Sequence, residues 1–184
     1  QRQMCIRDSN TTIAGNPQKI AIKPIELTLD KSKFSGEAGI INGERQNYYV
    51  DIVSDMVNLD NYFKPMPKEE AQKDFVSRMN YRFSKLAALN NFDMQAKIKL
   101  DLGIYENTPI ENLAMNATLK DGVLNFSSLN IGSIAGATVS AQGSLKGFGE
   151  SPVFENIKYD LSTKDVASML NKLEIKPFDF DWKK

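Results

Sequence analysis

The chain has 184 residues, 41% of them apolar and 25% charged, which fits one domain or one long sheet of repeated units. That balance excludes a disordered tail and a membrane-embedded bundle, and 23 basic against 23 acidic residues lacks the surplus of a dedicated nucleic-acid binder. There is no His, so Ser-His-Asp triads, Cys-His pairs and His-ligated metal sites are all excluded.

In chain order, residues 1–9 come first, and Met4 to Ser9 (Met-Cys-Ile-Arg-Asp-Ser) resembles the read-through translation of a sequencing adapter. The expectation is a disordered, dispensable scar preceding a reading frame truncated at its 5′ end. The one cysteine, Cys5, falls in it, so the remaining chain offers no disulfide or thiolate chemistry. Without Arg2, Arg7 and Asp8 the counts fall from 23 and 23 to 21 basic and 22 acidic, a net charge of −1.

Residues 10–65 read as a first β unit. Ile25-Leu27-Leu29, Phe34-Gly36-Ala38-Ile40 and Tyr48-Val50-Ile52 alternate with polar neighbours, the period of a strand with one apolar face. Residues 66–90 read as one amphipathic helix: Pro67 and Glu69-Glu70 mark its start, and Phe75, Val76, Met79, Phe83, Leu86 and Leu89 form a stripe.

A second β unit spans residues 91–174. From Phe92 to Ile104 every even position is apolar and every odd one polar or Gly, which predicts one strand of about 40 Å at ~3.3 Å per residue. Leu113, Met115, Ala117 and Leu119 alternate up to Asp121-Gly122, a tight-hairpin signal, with Val123-Leu124-Asn125-Phe126 returning. Ala137, Val139, Ala141, Gly143 and Leu145 form the next strand; Val153, Glu155, Ile157, Tyr159 and Leu161 follow. Ser162-Thr163-Lys164-Asp165 before Val166, Met169, Leu170 and Leu173 reads as a short capped helix. Residues 175–184 read as a following strand or linker.

Strand, Gly-containing loop, strand and helical cap thus occur twice, at 34–63 and at 139–170, as in a sheet extended by stacking units. The expected fold is mainly β: an elongated antiparallel meander with an open groove, one amphipathic helix and one short helical cap. Met94, Ile98, Leu100, Leu102, Met115, Leu119, Val139 and Leu145 are the candidate groove residues. The alternative is a sheet that folds over into a sandwich.

No acid/base pair or metal set emerges, and no catalytic or cofactor residue is assigned. Asp51 and Asp55 share an outer strand face, and Asn58, Asp60 and Asn61 lack the terminal Glu of a calcium loop. Gly143, Gly147 and Gly149 lack the strand-to-helix context of a phosphate loop and read as turn residues.

Leu119-Lys120-Asp121-Gly122-Val123-Leu124, then Ile134-Ala135-Gly136-Ala137-Thr138-Val139-Ser140-Ala141-Gln142-Gly143-Ser144-Leu145, resembles the C-terminal region of AsmA-like proteins of two-membrane bacteria. Ala135 stands where that family has the first of two glycines. Leu59-Asp60-Asn61-Tyr62-Phe63-Lys64-Pro65 is similar to another of its elements, and the resemblance runs over residues 20–174. These are turn and glycine patterns, so they identify a scaffold. The resemblance implies a non-enzymatic periplasmic body, held to the inner membrane by an N-terminal anchor and serving outer-membrane biogenesis. It also implies a phospholipid or other envelope lipid as partner, along an apolar groove as in larger lipid-conducting relatives. The competing expectation is a carbohydrate-binding or adhesin-type β-domain, for which the exposed aromatics (Tyr48, Tyr49, Tyr62, Trp182) look scattered.

Overall fold

The computed structural model describes residues 6–62, 65–73 and 75–173. The described residues form nine strands, β2 to β9 following the sequence alternation: β1 (Ile6–Asn16), β2 (Lys19–Leu29), β3 (Ser32–Ile41), β4 (Asn47–Asn58), β5 (Asp93–Tyr105), β6 (Thr108–Lys120), β7 (Val123–Ile134), β8 (Ala137–Lys146) and β9 (Val153–Thr163). They lie in one sheet in sequence order, so within the described residues there is no second sheet and no sandwich. The architecture is mainly β and open. β5 and β6, at 13 residues each, are the longest strands.

One junction departs from the antiparallel meander. β4 and β5 are parallel, Tyr48 opposite Met94 and Ser54 opposite Leu100. A parallel neighbour needs a crossover of a dozen or more residues, and 59–92 supplies it. Alternation specifies a strand's faces but not its direction, so this junction carries no mark in the pattern.

That crossover is not the single helix expected over 66–90. It contains a 3-10 turn (Leu59–Asn61), α1 (Lys68–Ala71), α2 (Phe75–Ser84) and a second 3-10 turn (Ala87–Asn91). Pro67 offers α1 no side-chain cap, and α1 stops after one turn at Gln72. α3 (Val166–Lys172) matches the expected short helix; Asp165 caps it by accepting from the Ser168 N–H at 2.9 Å.

The start of the chain also corrects an expectation. Ile6 to Ser9 belong to β1, with Ile6 opposite Leu29 and Ser9 opposite Leu27, while residues 1–5 lie outside the described residues. Pairing at an edge engages backbone groups, so a segment without side-chain periodicity can join it. The reading of 175–184 as a strand or linker also falls outside the described residues.

Asp121 and Gly122 have φ of +50° and +74°, the two left-handed residues of a type I′ hairpin turn. Ala135 and Gly136 repeat this at the β7–β8 turn, with φ of +52° and +85°.

Candidate functional site

The eight candidate groove residues share one face of the sheet, because directly paired residues point the same way. Met94 lies opposite Leu119, Leu119 opposite Leu124, and Leu124 opposite Leu145. A second row crosses from Ile98 through Met115 and Leu129 to Ala141, and a third from Leu100 through Leu113 and Ile131 to Val139. Leu102 faces Glu111, the polar end of this surface. In the parallel direction the face continues through Tyr48, Val50 and Ile52 to Ile40, Ala38 and Gly36.

The cover on this face is uneven. At one end Leu119, Leu145 and Phe148 are buried and packed by Phe83, Leu86, Leu89, Phe92, Met94 and Leu124. The Phe83 ring lies 6.1 Å from Phe148 and 6.3 Å, edge-on, from Phe154. The β8–β9 loop is tied to this lid: the Gly149 N–H donates to the Phe83 carbonyl, and the Asn90 amide donates to the Phe148 carbonyl at 2.8 Å. Away from the lid, Leu100 is buried, whereas Ile98, Leu102, Met115 and Val139 are half-buried. On β9, at the edge of the sheet, the same face is open, Tyr159 being 74% and Leu161 46% exposed.

The far end is closed by charge. Arg78 and Arg82 of α2 approach Glu106 of the β5–β6 turn, Arg78 Nε at 4.0 Å and Arg82 Nη2 at 3.6 Å. Burial pushes the neighbouring Tyr105 phenol above its usual range; Glu106 adds to the rise and Arg82 opposes it. Asp60 accepts the backbone N–H groups of Glu106 and Asn107, and Asn58 accepts that of Asp60. The Asn58-Asp60-Asn61 segment thus caps a turn.

Asp51, Asp55 and Asp93 also have structural partners. Asp51 pairs with Lys97 at 3.6 Å, Asp55 accepts the N–H groups of Lys33 and Met56, and Asp93 meets Arg45 at 3.2 Å while accepting the Asp121 N–H. Among the described residues no group of three or more acidic, Cys or His side chains is placed to hold a metal ion.

The opposite, polar face carries a feature missed by the alternation argument, which treated it as solvated surface. A trough of about 720 Å³ crosses it from β3 to β9. Its floor follows the register Tyr49–Gln95–Thr118–Asn125, flanked by Lys97, Asn116 and Gln142. A second hollow of about 630 Å³ lies nearer β1, among Glu26, Lys33, Asp55 and Asp101. The local excess of neutral amides and hydroxyls at 116–118, 125–127 and 142–144 was the available sequence signal.

Comparison of the chain with protein-family models, curated proteins and solved structures finds no match. Among the described residues no helix is long and apolar enough to cross a membrane.

Proposed function

We propose that this chain is a non-enzymatic lipid-handling module of the AsmA-like type. In this reading it sits in the periplasm, joined to the inner membrane by an anchor outside this sequence, and serves outer-membrane biogenesis. The observation that carries the proposal is the apolar face: it crosses the sheet from β3 to β9, and among the described residues its enclosed cluster lies at the Leu119–Leu145–Phe148 end, while Ile98, Leu102, Met115 and Val139 stay half-buried. An apolar surface of this extent left half-covered is a binding surface rather than a finished interior. Each buried methylene contributes ~0.8 kcal/mol, so one acyl chain along the Ile98–Met115–Leu129 row could gain on the order of 10 kcal/mol. Phospholipid is the ligand that fits a long, one-sided, apolar strip of this kind.

The test places a charge on the half-covered row. Met115→Arg and Ile98→Arg should fold, judged by circular dichroism, because an arginine there can reach water with its head group. Both should lose crosslinking to a photoactivatable phosphatidylethanolamine presented in vesicles. Leu119→Arg, at the sealed end, should unfold, since it buries an unpaired charge. Unfolding of the first two variants would reject an open groove, and folded variants that still crosslink would reject this face as the lipid site.

A further inference from the structure

The polar face supports an inference independent of the lipid reading. We propose that its central trough binds a neutral oligosaccharide of extended, β-linked pyranose units, laid across the strands with one sugar packed on Tyr49. The register places Tyr49, Gln95, Thr118 and Asn125 in one transverse row on four successive strands. Neighbouring strands lie about 4.8 Å apart, so the row repeats at a step close to one extended pyranose unit.

The chemistry of the row matches that ligand class. Each carboxamide supplies two donors and an acceptor, and a hydroxyl supplies both functions, as a sugar requires of its partners. The Gln95, Thr118, Asn125 and Gln142 side chains are exposed and among the described residues make no side-chain hydrogen bond, so this capacity faces the trough. Asn116 and Ser144 are engaged, Asn116 donating to the Ser128 hydroxyl at 2.8 Å and Ser144 to the Glu155 carbonyl at 3.2 Å, and these bonds shape the floor. Charge is balanced: Asp51 neutralises Lys97, and Glu37 at one rim offsets Lys158 at the other. An anionic or nucleic-acid ligand gains nothing from such a surface, whereas an uncharged polyol needs no counter-ion there. A volume near 720 Å³ is also within the usual range for small-ligand sites.

Tyr49 supplies the apolar element. It pairs with Gly39 on β3, and a Cβ at Gly39 would come 2.3 Å from Cε1 and 2.5 Å from Cζ of Tyr49, so the ring occupies the space above the glycine. A ring lying against the sheet turns its other face outward, where the axial C–H groups of a pyranose can pack. Lys19 Nζ lies over the ring, 5.8 Å from its centroid, so a pyranose packing on this face takes the place of the ammonium.

Isothermal titration with cellohexaose and with chitohexaose tests the proposal on the intact chain. At least one of the two should bind, and Tyr49→Ala should weaken it tenfold or more. Tyr49→Phe, which keeps the platform over Gly39, should bind like the parent. Asn125→Ala, an exposed change that leaves the fold intact, should weaken binding several-fold, while Lys99→Ala, outside the trough, should not alter it. Met115→Arg, on the opposite face, should leave sugar binding unchanged, which separates this proposal from the lipid reading. Failure of both hexasaccharides to bind at millimolar concentration would overturn it, as would binding that Asn125→Ala leaves untouched.

Discussion

Ala135 holds a conformation that its side chain disfavours. Its φ is +52° at the first central position of the β7–β8 turn, where a Cβ crowds the following carbonyl. The next residue, Gly136, has φ +85° and nothing within 4 Å of a hypothetical Cβ, so the corner has room but the wrong residue at its first step. Ala135→Gly should therefore raise the free energy of unfolding by about 1 kcal/mol, the relief of strain exceeding the extra chain entropy of glycine. Urea denaturation would show a higher midpoint at unchanged slope; a lower midpoint would mean that the turn does not strain alanine. Asp121 occupies the corresponding place in the β6–β7 turn at φ +50°, and an Asp tolerates that region better than an Ala.

Among the elements, α3 depends most on a single group. It is seven residues long, too short to persist by propensity, and its first turn is held by the Asp165 carboxylate. Met169 is its one buried side chain. Asp165→Ala should cost about 1 kcal/mol. Hydrogen exchange would report this as roughly fivefold faster exchange across 166–172, with β5 and β6 unaffected. Equal acceleration throughout the sheet would instead make α3 part of the global unfolding unit. The crossover elements depend on contacts rather than caps: α2 and the Ala87–Asn91 turn are placed by Phe83, Leu86 and Leu89 against Leu119 and Leu145. The sequence stripe marked those same residues. What it could not mark was the break between α1, α2 and the 3-10 turn, because a stripe at helical spacing survives a change of helix axis.

For the whole molecule, the consequence of an open sheet is an edge. Among the described residues β9 is a terminal strand, and it carries Phe154, Tyr159 and Leu161 at 46%, 74% and 46% exposure on the apolar side. An edge strand with exposed apolar side chains favours pairing with a further strand. The chain should self-associate with rising concentration, and the double variant Tyr159→Lys, Leu161→Lys should shift it toward monomer in sedimentation velocity without changing its circular dichroism. Association that persists in the double variant would place the contact elsewhere.

Alternation at 92–104, 113–119 and 137–145 by itself determined which residues lie on the apolar face, because side-chain direction in a strand depends only on parity. Asp121-Gly122 located a hairpin, and the Ser162–Asp165 box located a helix start to within one turn, the cap being Asp165 because Ser162 and Thr163 stay in β9. Tertiary structure alone decided the parallel β4–β5 junction, the pairing of Ile6 to Ser9 at the edge, and which apolar residues are sealed. Leu100 is buried while Ile98 and Leu102, its neighbours on the same face, stay half-buried, and no periodicity distinguishes them. The polar trough belongs to the same class. Its row is assembled from four strands by register, and register is a property of pairing between segments that no single segment contains.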